Sequence, residues 1–225
     1  MFNTRHRLAA LAAFLVFAAS LVGCAMAPPA APADPVARLR WLDRLTWGAN
    51  ASTDRQLTQQ GSGAWLQSQL HPKPAALPAA AQAQIDAMTI TRTPVEQLAI
   101  ALDAQRKAAD AMPDDAQKKT ARQAYQQELT HLAREAQPRF VLRALYSPNQ
   151  LQEQMVWFWA NHFNVNLRKA NLRALVGDYE ENAIRPNALG KFRDLLGATL
   201  RHPAMLRYLD NAQNGANRLN ENYAR

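Results

Sequence analysis

The fold class is decided by the stretch Thr93–Met112, "TPVEQLAIALDAQRKAADAM". Thr93 stands directly before a proline and three positions before Glu96, which is the spacing of a capping box at the first turn of a helix. Apolar residues of one helical face then recur at Val95, Leu98, Leu102 and Ala109. The pattern predicts an amphipathic helix that buries one side.

Helix signals of the same kind recur on both sides of this stretch. Capping residues, first-turn prolines or terminal glycines mark further helices at Asp34–Pro35, Ser52–Gly61 and Ser147–Gln150. Additional helices are predicted at about 171–185, 188–201 and 203–211. No run of alternating β-branched residues is present. The sequence therefore predicts an all-α protein, an irregular multi-helix bundle.

A helical hairpin is predicted to turn at Pro113. Its second helix shows a buried edge at Tyr125, Leu129 and Leu132. Pro138 follows, and a proline disrupts the interior of a helix, so we expect a separate short helix to start there.

The N-terminus has the pattern of an export signal. Arg5 and Arg7 precede the apolar segment Leu8–Val22, which is shorter than the ~20 residues of a membrane-spanning helix. The next residues, "LVGC" at Leu21–Cys24, resemble the lipobox of bacterial lipoproteins. This resemblance implies a signal peptide at 1–23 and lipidation of Cys24. Two alternatives remain open: an ordinary secretory signal cut near Ala27, and an uncleaved anchor helix.

Beyond Cys24, residues 24–37 are rich in proline and alanine and predict an extended tether. Residues 38–225 then form the helical domain. Ala25 follows the cysteine where some lipoproteins carry an inner-membrane retention aspartate. By this resemblance we expect an outer-membrane lipoprotein that faces the periplasm. Cys24 is the sole cysteine, so the mature protein has no internal disulfide.

The excess of basic over acidic residues in the chain points to an anionic partner. The formal net charge is +8, and it falls to +6 when Arg5 and Arg7 are removed with the signal. The basic residues are scattered along the chain, and export separates the protein from nucleic acid. We therefore expect no nucleic-acid partner, and favour membrane lipid, an anionic envelope component or a partner protein.

The stretch Met155–Asn166, "MVWFWANHFNVN", carries the first candidate site residue. Helical spacing places His162 on one face with Met155, Phe158 and Trp159. A histidine on an apolar stripe is either a hydrogen-bonded core residue or a ligand. We expect a core helix whose asparagine and histidine side chains connect neighbouring helices, with a pocket floor as the alternative.

The second candidate lies in Gly177–Pro186, "GDYEENAIRP". Asp178 and Glu181 are three positions apart, so both carboxylates project from one side of a helix. Together with His162 they would suit a metal in a helical bundle. The alternative is an ion pair between Glu181 and Arg185. The sequence contains no zincin motif, no Gly-x-Ser-x-Gly elbow and no phosphate-binding loop.

Longer segments resemble a known bacterial family. The stretches concerned are "LDRLTWGA", "WLQSQLHP", "MVWFWANHFNV", "GDYEENAIRPNALGKFRDLLGATLRHPAMLRYLDNAQN" and "LNENYAR". They are similar to the domain of unknown function 1800 family from about Arg38 to Arg225. The resemblance implies an exported helical protein longer than this chain. We therefore expect a bundle that is incomplete at its C-terminus, with "LNENYAR" opening a further helix.

The family resemblance brings no established activity. It also contains one departure, because Asn187 stands where a histidine is common in the family. Two functions therefore remain open. The first is a lipid-anchored binding or scaffold protein of the bacterial envelope. The second is a metal-assisted hydrolase of an envelope polymer, with His162, Asp178 and Glu181 as its candidate residues and its metal and cofactors undetermined.

Overall fold

A computed structural model of the protein describes residues 34–224. The predicted signal peptide, Cys24 and most of the tether lie outside the described residues. Within residues 34–224 there are helices and turns but no strand, apart from an isolated bridge between Gly215 and Arg218. The prediction of an all-α fold is confirmed.

Eleven α-helices lie in the described range: α1 Pro35–Leu45, α2 Ala51–Gln60, α3 Ser62–Leu70, α4 Ala79–Asp86, α5 Thr89–Arg92, α6 Val95–Asp110, α7 Asp115–Tyr146, α8 Gln150–His162, α9 Leu172–Asp178, α10 Phe192–Arg201 and α11 Pro203–Tyr208. A π-helical segment, Tyr179–Ile184, continues α9. Short 3-10 turns lie at Arg185–Asn187, Asn211–Gln213 and Glu221–Tyr223. Among residues 34–224, no helix combines the length and apolarity needed to cross a bilayer.

Some predicted helix starts are confirmed and others are wrong. The Asp34 carboxylate accepts a hydrogen bond from the Ala37 amide at 2.7 Å, as expected of an N-cap before Pro35. Gly61 ends α2 as predicted, with a positive φ of 78° and a ψ of 149°, which lies outside the left-handed helical region. The capping box at Thr93 does not form. The helix begins at Val95, and no side chain caps its first turn. The second helix is capped by Asn50, two residues before the predicted Ser52.

The hairpin at Pro113 is present, but its second arm is a single helix. α7 is 32 residues long and contains Pro138 in its interior, so the prediction of a separate helix after this proline was wrong. Pro138 is exposed, while Ala136 and Arg139 beside it are buried. Packing of α7 against α6 and α9 therefore maintains the helix across the proline.

The core is divided among several clusters of buried residues. The largest cluster joins α8, α9, the π segment and α11 through Val156, Leu172, Ile184 and Met205. A second cluster in α1–α3 is built on Leu42, Leu57 and Trp65. In the third, the predicted stripe residues Leu102, Leu129 and Leu132 are buried together.

Helix α8 turns a different face inward from the one predicted. Gln150, Glu153 and Val156 are its buried residues, whereas Phe158 and His162 are exposed. Glu153 is inside because the buried Arg185 pairs with it. Met155 and Trp159 of the predicted face are partly buried against the largest cluster. The prediction of a core His162 was wrong.

Asn161 of α8 also does not connect helices as predicted. Asn161 Nδ2 donates to the Trp157 carbonyl of its own helix at 2.7 Å. A contact with a more distant segment comes instead from Trp159, whose Nε1 donates to the Ala188 carbonyl, after the 3-10 turn, at 2.9 Å.

The last predicted helices are shorter than expected. α9 ends at Asp178, where the backbone changes to π geometry, and α11 ends at Tyr208. "LNENYAR" forms a 3-10 turn over Glu221–Tyr223 in place of the predicted helix opening. The Tyr223 hydroxyl donates to the Leu200 carbonyl at 3.0 Å and holds this segment to α10.

We expect Pro138→Ala to raise the free energy of unfolding by about 1–2 kcal/mol. Alanine restores an amide donor inside α7 and removes the proline ring clash, and the greater freedom of the unfolded chain offsets part of the gain. Urea denaturation monitored by circular dichroism measures the change. A loss of stability would show instead that a proline-induced bend in α7 is needed for packing.

Candidate functional site

The candidate site is built around the change from α to π geometry after Asp178. In the π segment the Arg185 amide N–H bonds to the Glu180 carbonyl, five residues earlier. Pro186 has no amide N–H, so the α pattern does not resume and a 3-10 turn follows. π segments are rare and are frequently found at functional sites. This geometry places Glu180, Glu181 and Arg185 where they meet α7 and α8.

Arg185 binds three carboxylates. Its Nη1 lies 2.5 Å from Glu153 Oε2, its Nη2 lies 3.2 Å from Glu180 Oε1, and its Nε lies 3.3 Å from Glu181 Oε2. Arg185 and Glu153 are both buried, with 8% and 2% of their surfaces exposed. The Glu181–Arg185 ion pair, which was the alternative to a metal site, is thus present as part of a larger network.

Two arginines of α7 complete the network. Arg143 Nη2 lies 2.7 Å from Glu181 Oε1, and Arg139 Nε lies 3.7 Å from Glu181 Oε2. Arg139 also donates to the Gly177 carbonyl. A Cβ on Gly177 would stand 3.3 Å from Arg139 Nη2 and 3.1 Å from an Ile90 methyl. The glycine therefore permits the close approach of α9 to α7.

The charges of this network balance one another. It contains three arginines, Arg139, Arg143 and Arg185, and three glutamates, Glu153, Glu180 and Glu181. Burial raises the pKa of Glu180 and lowers the pKa of Arg139. Burial also opposes the charge of Arg185, but Glu153 and Glu181 outweigh it and raise the pKa of Arg185. The carboxylates are therefore bound by internal cations.

Asp178 lies beside this network and pairs with a histidine from the start of α11. Asp178 Oδ2 lies 2.8 Å from His202 Nε2, and Asn182 Nδ2 donates to the other carboxylate oxygen at 2.5 Å. His202 Nδ1 accepts from the Ala204 amide at 3.1 Å. Since Nδ1 accepts, the proton of the neutral ring lies on Nε2 and is donated to Asp178. Both ring nitrogens are occupied.

The pKa of Asp178 reflects two opposed effects. Burial favours the neutral acid, but the hydrogen bonds from His202 and Asn182 outweigh burial and hold the pKa below its ordinary value. Tyr179 is buried next to this pair, and its hydroxyl donates to the Phe163 carbonyl at 3.0 Å. Burial raises the pKa of the Tyr179 phenol far above its ordinary value.

The three candidate residues from the sequence do not form one cluster with each other. His162 is exposed and stacks on Phe158, with ring centroids 6.2 Å apart. Asp178 binds His202, and Glu181 binds arginines. Within residues 34–224, no group of three or more His, Cys, Asp or Glu side chains is arranged to hold a metal ion. Asn187, the departure from the family pattern, donates to the Ala183 carbonyl at 2.8 Å.

Sequence reasoning missed five residues of the site: Arg139, Arg143, Glu153, Glu180 and His202. Two sequence patterns would have indicated three of them, Arg139, Arg143 and His202. Arg139 and Arg143 are four positions apart and therefore share a face of α7. His202 directly precedes Pro203, and a proline at the first helical position identifies the residue before it as an N-cap. The position of Glu153 had no local signal.

We expect Arg185→Met to lower the free energy of unfolding by about 3–5 kcal/mol, because it leaves the buried Glu153 carboxylate without its partner. The double variant Glu153→Met/Arg185→Met should be more stable than Arg185→Met alone, since no unpaired charge remains at position 153. Denaturant titrations of both variants and of Glu153→Met complete a double-mutant cycle. Strictly additive losses would contradict direct coupling between the two side chains.

We expect Asp178→Asn to destabilise the protein by about 1–2 kcal/mol at neutral pH, because the hydrogen bond to His202 loses its charge. The folded-state pKa of Asp178 lies below the ordinary value of 3.8. The stabilisation by the ionised carboxylate is therefore complete above that value and is lost as the pH falls through the folded-state pKa. Unfolding free energies measured from pH 7 to pH 2.5 should converge for the two proteins at the acidic end. A constant difference over this range would refute the assignment.

Comparison with known proteins identifies the family. Residues 40–225 match the family described as "Protein of unknown function (DUF1800)". No curated protein and no solved structure matches the chain. Because the match covers most of the sequence, the chain belongs to the domain of unknown function 1800 family.

Proposed function

We propose that the protein is a lipid-anchored binding protein of the bacterial envelope that lies against a membrane surface. Lipidation at Cys24 would attach it to the outer membrane on the periplasmic side. The observation that carries the proposal is a broad exposed aromatic surface, which we name the aromatic face and define by Trp47, Trp157, Phe158 and Phe192.

The aromatic face consists of two groups of ring contacts that meet at a shared depression. Trp47 and Trp157 meet edge to face with centroids 6.1 Å apart, and a shallow depression of about 450 Å³ joins them to Phe158. Phe158 contacts Trp159 at 4.8 Å, and Trp159 contacts Phe192 at 5.9 Å. Trp157, Phe158 and Phe192 are each 50–54% exposed. Exposed apolar surface of this kind marks an interaction site.

The chemistry of the aromatic face fits an anionic bilayer. Tryptophan has an apolar body and a polar N–H, and it concentrates where membranes meet water. Lys191 and Arg193 bracket Phe192, and both are exposed. Among the described residues neither forms an ion pair, so both cations are available to lipid phosphates, at ~1 kcal/mol each near a charged membrane.

A binding function also agrees with the internal hydrogen bonds and ion pairs of the candidate catalytic carboxylates. Asp178 and Glu181 are held by His202 and by arginines inside the protein. The aromatic face, in contrast, presents its side chains to solvent. The membrane-binding proposal therefore uses the exposed chemistry of the molecule, whereas the hydrolase alternative would require these internal pairs to open.

The proposal is tested in two steps in the native host. In the first, an alkyne fatty acid supplied to the cells should label the full chain, and Cys24→Ala should abolish the label. In the second, residues 1–24 are exchanged for a cleavable leader that is not lipidated, so that only the folded protein remains to bind membrane. This form should sediment with membranes at low salt and be released at high salt.

Trp157→Ser/Phe158→Ser in the unlipidated form should shift the protein to the soluble periplasmic fraction by at least fivefold. Ile100→Ser is the matched control, because Ile100 is an isolated apolar residue of α6 that is 71% exposed. Equal membrane recovery of the double variant and the control would refute the aromatic face. Absence of the fatty-acid label on the native chain would refute the anchor.

A further inference from the structure

A cleft separate from both the charge network and the aromatic face lies between α2, α3, the loop that follows α3 and the start of α8. It consists of two adjoining depressions, of about 370 Å³ and 150 Å³. Both are lined by Gln56, Trp65 and Pro148. Taken together they reach the volume range of small-molecule sites, ~300–1,000 Å³. We name this feature the amide cleft.

The walls of the amide cleft are fixed by hydrogen bonds between distant parts of the chain. Gln69 Nε2 donates to the Pro148 carbonyl at 3.0 Å, and Gln69 Oε1 accepts from the Leu151 amide at 3.2 Å. Asn149 Nδ2 donates to the Lys73 carbonyl at 2.9 Å. These bonds tie α3 and its following loop to the start of α8. The cleft is therefore formed in advance of any ligand.

Trp65 gives the cleft a donor without an acceptor. The residue is 1% exposed, and none of the residues 34–224 accepts a hydrogen bond from its Nε1. Its ring is held against Trp41, with centroids 5.5 Å apart. A buried donor left unpaired costs free energy. Trp65 lines both depressions, and a ligand oxygen that reached its Nε1 would remove that cost.

The remaining free polar groups of the cleft suit a ligand with hydroxyl and amide groups. Gln56 and Gln60 are four positions apart on α2, and neither side chain has a hydrogen-bond partner among the described residues. An amide side chain both donates and accepts, as does a sugar hydroxyl. His71 and Lys73 stand at one end, and no carboxylate lines either depression. That end favours an acidic substituent.

We propose that the amide cleft binds an acidic amino sugar of the envelope, a saccharide with acetamido, hydroxyl and carboxylate groups. Trp65 Nε1 and the glutamine amides donate to its carbonyl and hydroxyl oxygens, and Lys73 pairs with its carboxylate. The inference rests on the proposed function for the envelope location only, because the binding chemistry comes from the cleft itself.

The test is calorimetric titration of the purified full-length protein with the disaccharide of N-acetylglucosamine and N-acetylmuramic acid. Chitobiose, which has no carboxylate, is the uncharged comparison. The acidic disaccharide should bind at least fivefold more tightly than chitobiose. Lys73→Gln should remove this preference, and Gln60→Ala should weaken the binding of both sugars at least threefold.

Two matched controls separate the cleft from general surface effects. Gln59→Ala changes the exposed neighbour of Gln60 outside the cleft, and Lys119→Gln removes an exposed cation on α7. Both should leave the affinities unchanged. Trp65→Phe, which deletes the N–H and keeps an aromatic ring, should weaken binding, provided that its circular dichroism spectrum is native.

The inference is overturned if neither sugar binds at millimolar concentration, if Gln60→Ala and Gln59→Ala behave alike, or if an acidic peptide binds the cleft in preference to both sugars. These outcomes do not depend on membrane attachment. A protein that binds the acidic disaccharide but carries no fatty acid would refute the proposed anchor and support the amide cleft.

Discussion

The pairing of Glu153 with Arg185 is the interaction on which the arrangement of the central helices depends. It joins α8 to the segment after α9 across a buried contact of 2.5 Å. A buried charge is tolerated only when a partner of opposite charge and good hydrogen-bond geometry accompanies it. The pair therefore dictates which face of α8 turns inward. The same arginine engages Glu181, which in turn holds Arg143 of α7, so three parts of the chain are oriented by one set of charges.

Helical periodicity predicted correctly which leucines of α6 and α7 are buried. The stripe of Leu102, Leu129 and Leu132 follows helical periodicity, and these residues are buried as expected. The errors fall where a distant partner decides the outcome. α7 continues through Pro138 because α6 and α9 pack against it. Glu153 is buried because Arg185, 32 positions later, meets it. Periodicity within α8 contains no information about that arginine, so it assigned the aromatic side to the core.

In the candidate site, too, pairs of residues close in sequence were predicted, and pairs of residues distant in sequence were not. Asp178 and Glu181 were recognised from their spacing, and the Glu181–Arg185 pair follows from an interval of four. The partner of Asp178 is 24 positions away, and the α7 partner of Glu181 is 38 positions away. His162 and His202 were both visible in the sequence. Only the chain path after Arg201 brings the second of them to the aspartate. The sequence thus indicated two of the carboxylates in this region, Asp178 and Glu181, but neither Glu153 nor the distant residues that bind them.

The π segment has a consequence for how this family can vary. A π turn holds one more residue than an α turn. It is thus equivalent to an insertion that the helix has absorbed without breaking. The extra residue keeps Arg185 in register with Glu153. If the same residues adopted regular α geometry, all that follows would rotate by about 100° relative to α9, and Arg185 would leave Glu153 while Asp178 kept its own position. Loss of one residue from Tyr179–Ile184 with a return to α geometry would instead leave the following chain in its present direction. Substitutions are therefore tolerable in this segment wherever the charges persist, and a change of one residue in its length is tolerable when the backbone changes between π and α geometry with it.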